Sequence, residues 1–135
     1  MPRAQALATI SAYYDAFNAG DTTGMEALIS PDFEHHVNEG EIRRGPEAFR
    51  AFNAHMTRCY KEHLADIVIM ANDQGTRAAA EFVVHGVYLE TDGDLPVARG
   101  QKYVLLVGSF FDLEAGRITR VTTYYNLADW VRQVS

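Results

Sequence analysis

Apolar residues recur at three-to-four spacing at the start of the chain: Leu7, Ile10, Tyr13, Tyr14 and Phe17. That period places them on one stripe and predicts a helix from about Arg3 to Ala19. Gly20 stops it, because glycine accepts the left-handed conformation that follows a last helical turn. Thr23 and Glu26 stand at capping-box spacing and predict a short second helix through Ile29, ended by Ser30-Pro31. Phe33 to Asn38 reads as a short strand, Glu39-Gly40 as a turn, and Glu41 to Arg44 as a segment pairing back. Gly45-Pro46 opens a third helix with proline at its first position. Phe49, Phe52, Met56 and Tyr60 carry the helical spacing to about Glu62.

From His63 the pattern changes to strands. Ile67 to Met70 ends at the turn Asn72-Asp73-Gln74-Gly75. Arg77 to Leu89 is a long β-rich run, followed by a loop through Thr91-Asp92-Gly93-Asp94. Gln101 to Leu113 and Arg117 to Tyr125 are the last long strands, joined by the tight turn Glu114-Ala115-Gly116. Leu127 to Val134 adds a terminal helical turn with Trp130 inward. Helices first and a strand meander afterwards predict an α+β fold. Three N-terminal helices pack on a strongly curved, mostly antiparallel sheet, which makes a cone with an internal cavity.

At 135 residues the chain fits one domain, 1–135, and its 47% hydrophobic content supports a core of its own. Twelve Lys and Arg against 18 Asp and Glu give a net charge of −6, which argues against nucleic acid as a partner. A single cysteine, Cys59, excludes an internal disulfide framework and fits a reducing cytoplasm. No segment approaches the roughly 18 apolar residues of a spanning helix, and the start has no signal-like apolar block, so no membrane is expected. No nucleophile elbow, P-loop or dinucleotide fingerprint occurs, so no cofactor is expected.

The order of elements resembles the nuclear transport factor 2-like superfamily, and locally the ketosteroid isomerase-related and SnoaL-like proteins. The resemblance is carried by Tyr13-Tyr14-Asp15-Ala16-Phe17-Asn18-Ala19-Gly20-Asp21 and Pro31-Asp32-Phe33-Glu34-His35-His36. Gly45-Pro46-Glu47-Ala48-Phe49, Ala115-Gly116-Arg117-Ile118 and Tyr124-Tyr125-Asn126 extend it over nearly the whole chain. It implies a cone fold, a small hydrophobic partner and a homodimer. In ketosteroid isomerases a carboxylate moves a proton beside a carbonyl while a tyrosine and a protonated aspartate stabilise the enolate oxygen. The resemblance carries the tyrosine to Tyr13, the base to His36, and the protonated aspartate to Ser109, or to Gly108 if the following turn aligns without a gap. Imidazole suits the base role at neutral pH. Serine is a weaker acid than the aspartate it replaces, so the implied reaction widens to isomerisation, cyclisation or dehydration of a carbonyl compound such as a steroid or polyketide. A non-catalytic ligand-binding or dimerisation module is the alternative. An epoxide hydrolase reading needs an Asp–Arg–Asp set that the Phe82 face lacks.

Successive strand residues face opposite ways, so only one of His35 and His36 meets the cavity. The resemblance favours His36, whereas the apolar phase of Phe33 and Val37 favours His35 as the inward histidine. Asn38 shares the face of His36 and is a candidate substrate contact. On the long strand, Phe82, Val84 and Tyr88 share one face, which the resemblance turns to the cavity; Glu81 and His85 then lie outside, on a dimer face with Val83, Val87 and Leu89. Phe17, Phe52, Met56, Phe111, Thr123 and Tyr125 complete the expected lining, with Ser109. His55, Cys59 and His63 follow at fourfold helical spacing, but no acidic ligand has matching spacing and no metal is expected. Arg43-Arg44 reads as a solvated hairpin end with the capacity to bind an anion.

Overall fold

The computed structural model describes residues 2–135. α1 (Pro2–Ala19), α2 (Thr22–Glu26), β1 (Ile29–Val37), β2 (Arg43–Arg44) and α3 (Gly45–Cys59) make the first half. β3 (Tyr60–Ala71), β4 (Arg77–Tyr88), β5 (Lys102–Glu114), β6 (Arg117–Tyr124) and α4 (Leu127–Val134) make the second. The strands form one sheet in the order β2-β1-β6-β5-β4-β3. Among the described residues only β1 and β6 run parallel; every other pair is antiparallel. The sheet is curved and unclosed, and α1 and α3 cover its concave face, as the α+β pattern predicts.

The alternation along β4 decides which face turns inward. Ala78, Ala80, Phe82, Val84 and Tyr88 are buried, while Glu81 and His85 are exposed. β5 repeats the pattern with Tyr103, Leu105, Val107 and Ser109 buried and Val104, Leu106 and Phe110 exposed. The apolar stripe of α1 docks on this face through Ile10, Tyr13 and Tyr14. Asn18, near its end, fixes the docking: its Nδ2 donates to the Leu64 carbonyl at 3.0 Å and its Oδ1 accepts from the Leu64 amide at 2.9 Å. That pair lies beside a register shift in β3 between Ala65 and Val68, where Asp66 takes φ +54°.

Three boundaries differ from the sequence expectation. β1 starts at Ile29, earlier than Phe33, because parallel pairing with β6 captures the residues before Pro31 and the Ile118 amide donates to the Leu28 carbonyl. α2 is capped by Asp21, whose side chain accepts from the Gly24 amide at 2.8 Å, and it ends at Glu26. α3 ends at Cys59 and passes straight into β3. Tyr60 is already extended, and Tyr60 to Leu64 pair with Tyr88 to Val84. Ladder hydrogen bonds to a distant strand outweigh the helical spacing at Tyr60.

One glycine is required by packing. A Cβ on Gly86 would lie 2.1 Å from Cζ of Tyr103, whose ring crosses the strand there. The close approach lets Tyr103 reach across β4 to Glu62. α4 then closes that end of the cone, its Trp130 meeting Tyr60, Tyr88 and Tyr103 edge to face at 5.9, 4.9 and 5.9 Å.

Candidate functional site

The concave face, α1, α3 and the chain after β6 enclose a cavity of about 530 Å³. Its wall is mostly aromatic and aliphatic, with polar groups gathered at two ends. At the first end lie His35 from β1 and Tyr13 from α1. Both rings pack against Phe49, at 5.6 and 6.4 Å between centroids, and Phe52 meets His35 at 4.6 Å. His35 is 5% exposed, and its Nδ1 is buried without a hydrogen-bond partner among the described residues. Burial, reinforced by the Arg43 and His36 charges, pulls its pKa down to about 4, so the imidazole is neutral at pH 7. Burial, with Tyr14 beside it, holds the Tyr13 hydroxyl protonated far above the usual phenol range. Asn53 completes this end, with a buried Nδ2 that also lacks a partner.

At the second end Asp92, Glu62, His55, Tyr60 and Tyr103 are engaged with one another. Asp92 accepts from the Tyr60 hydroxyl at 2.6 Å and lies 2.8 Å from His55 Nε2. Arg58 donates to His55 Nδ1 at 3.2 Å, which leaves the ring proton on Nε2 for Asp92. Glu62 accepts from the Tyr103 hydroxyl at 2.5 Å, and burial raises its carboxyl above the ordinary range against the pull of that hydrogen bond. Tyr125 closes the wall between these groups.

The wall brings together Tyr13, His35, Phe17, Asn38, Phe52 and Met56. It also takes in Phe82, Val84, Ser109, Thr123 and Tyr125. Asn38 spends its side chain locally, Oδ1 accepting from the Tyr125 amide at 2.8 Å. Ser109 faces inward and Gly108 does not; the Ser109 hydroxyl shares a 2.9 Å hydrogen bond with Thr123.

Three residues expected at the cavity are not in its wall. His36 lies on the opposite face of β1, its Nε2 3.4 Å from Glu34 Oε1, because the apolar phase of Phe33 and His35 takes the inside. Tyr88 is fully buried but turns to the loop after β4, donating to the Pro96 carbonyl at 2.7 Å and accepting from the Asp92 amide at 2.9 Å. Phe111 is fully buried behind the wall, against Tyr13 and Tyr14 at 6.1 and 6.0 Å. His63 leaves the helical face of His55 and Cys59, because α3 has already ended. Asp92 takes its place, and the ligand atoms of His55, Cys59 and Asp92 lie within 4.8 Å of one another. Glu62, Asp92 and Tyr60 were not among the expected site residues: their meeting depends on where α3 stops and on contacts spanning more than 30 residues.

The model of the SnoaL-like domain matches residues 10–121, and the chain belongs to that family, within the nuclear transport factor 2-like superfamily. No curated protein shows significant sequence similarity to it. A candidate polyketide cyclase from Silicibacter sp. TM1040 is 63% identical, with a TM-score of 0.94 over 96% of this chain and 95% of that one. A second, from Xanthomonas campestris pv. campestris, is 51% identical, with a TM-score of 0.97 over all of both chains. An NTF2-like protein from Burkholderia pseudomallei K96243, 18% identical over 97% of this chain and 98% of that one with a TM-score of 0.82, shares the fold.

Proposed function

We propose that this SnoaL-like protein binds a small, mostly apolar carbonyl compound and moves protons on it without a cofactor, as an isomerase, cyclase or dehydratase. The observation that carries this reading is a neutral imidazole with a buried, unpartnered nitrogen and a protonated tyrosine, both packed against Phe49 in one apolar wall. His35, not His36, is then the base. It takes a proton from the carbon next to the carbonyl, and Tyr13 donates a hydrogen bond to the enolate oxygen that forms. The imidazolium and the enolate arise together in a low-dielectric wall, so each stabilises the other. The proton returns to another carbon in an isomerisation. In a cyclisation the enolate carbon attacks a second carbonyl, whose oxygen takes the proton back from the imidazolium; in a dehydration a hydroxyl group leaves with that proton as water. The similarity to proteins described as polyketide cyclases supports a carbonyl-rich substrate.

The same reading takes residues 1–135 as one cytoplasmic domain that pairs as a homodimer through the outer sheet face. There Val104, Leu106 and Phe110 are 51%, 66% and 44% exposed. A non-catalytic ligand-binding module is the second reading. It is favoured by Ser109, a weaker acid than the aspartate it replaces, with its hydroxyl already engaged by Thr123.

Loss of deuterium from the methyl group of deuterated 2-acetylnaphthalene, followed by NMR, separates the two. Wild type should accelerate the exchange, His36→Phe should retain the rate, and His35→Phe should lose it. Binding of the ketone with no accelerated exchange would leave the non-catalytic reading standing.

A further inference from the structure

Arg43 and Arg44 are adjacent in sequence and lie on opposite faces of β2. Arg44 stands opposite Glu34 in the ladder, and its Nη1 is 3.2 Å from Glu34 Oε1 on the outer face. Arg43 stands opposite His35, so the two share the inner face at the distance of a cross-strand pair. Its guanidinium carbon lies 4.6 Å above the Phe52 ring, and its side chain lines the cavity rim. Among the described residues it is the only Lys or Arg in the cavity wall, and it forms no ion pair. Glu34 is engaged outside by Arg44 and His36. Asp92 and Glu62 are held at the far end by His55, Tyr60 and Tyr103. Glu41 shares the rim without pairing with Arg43. The wall therefore presents a cation, oriented by an aromatic ring, with no anion of the protein's own to meet it.

We propose that Arg43 anchors a carboxylate of the ligand, so that the cavity takes an apolar carbonyl compound bearing an acid group. The acid would lie on Arg43 and the carbonyl further in, toward Tyr13 and His35. The planar fork of arginine suits a carboxylate better than a point charge would. A carboxylate there would also offset the positive charge that weighs on His35. The proposal rests on the cavity being the ligand site, as read above, but it does not require turnover.

Isothermal titration with 2-naphthylacetate and its neutral amide, 2-naphthylacetamide, tests it. Wild type should bind the acid about tenfold more tightly than the amide, a preference that shrinks with added salt. Arg43→Gln should bring the two affinities together, and Arg43→Lys should keep part of the preference. Equal affinities in wild type, or a preference that survives in Arg43→Gln, would overturn the proposal and leave the cavity reading intact. Failure of wild type to bind either compound would overturn both.

Discussion

The two ends of the cavity are built from similar residues and treat them differently. Each has a histidine, a tyrosine and further polar groups in an aromatic wall. At the Asp92 end, carboxylate, imidazole and phenol satisfy one another at 2.6 and 2.8 Å. At the His35 end, Nδ1 of His35 and Nδ2 of Asn53 are buried with no partner. A buried polar atom left unpaired costs about 1–3 kcal/mol. The Asp92 end repays the burial of its polar groups within the protein and so holds α3, β3 and the loop after β4 together. The His35 end leaves that cost standing, and holds its imidazole by aromatic packing against Phe33, Phe49 and Phe52 instead.

Substitutions that treat the two ends alike should therefore give opposite results. The largest effect expected is on His35→Phe, where proton exchange on a bound ketone should fall about 10²–10⁴-fold, the contribution of a general base. Melting temperature should hold or rise, since phenylalanine joins Phe33, Phe49 and Phe52 without a stranded nitrogen. Tyr13→Phe should lower the exchange rate by about 10²-fold, as for one lost oxyanion donor, with ketone affinity little changed.

The pH dependence separates the ends next. His35 has a folded pKa of about 4, below the unfolded value near 6.5, so the unfolded state takes the proton first as pH falls. Its contribution to stability is complete above pH 6.5 and is lost between 6.5 and 4, about 3 kcal/mol in all. Denaturant titrations at pH 7 and pH 4 should show that loss in wild type and show it reduced in His35→Phe. The acid limb of kcat/KM should likewise fall near pH 4, not 6.5. At the other end, Asp92→Ala should cost about 1–3 kcal/mol of stability by stranding Tyr60 and His55. Asp92→Ala protein that keeps wild-type stability would break the comparison.

Much of this was legible in the chain. The stripe Leu7 to Phe17 and the alternation along Arg77 to Leu89 each report which face is buried, and the fold follows from those faces. The phase of Phe33 and Val37 already marked His35 as the inward histidine, and that local signal agrees with the structure where the family resemblance pointed to His36. The second end was not legible. Tyr60 continues the helical spacing of Phe49, Phe52 and Met56, and only pairing with Tyr88 makes it a strand residue. Asp92 reads as a turn residue because its partners, His55 and Tyr60, are 37 and 32 positions away. Arg43 reads as a solvated hairpin end until its ladder partner is known to be His35.

The most direct test of the difference between the ends is a crystal structure with 2-acetylnaphthalene bound. The ketone oxygen should lie about 2.7–3.1 Å from the Tyr13 hydroxyl. The methyl carbon should lie against the His35 ring. A ketone oxygen bound instead among Asp92, Tyr60 and Glu62 would contradict the assignment of the His35 end as the reactive one.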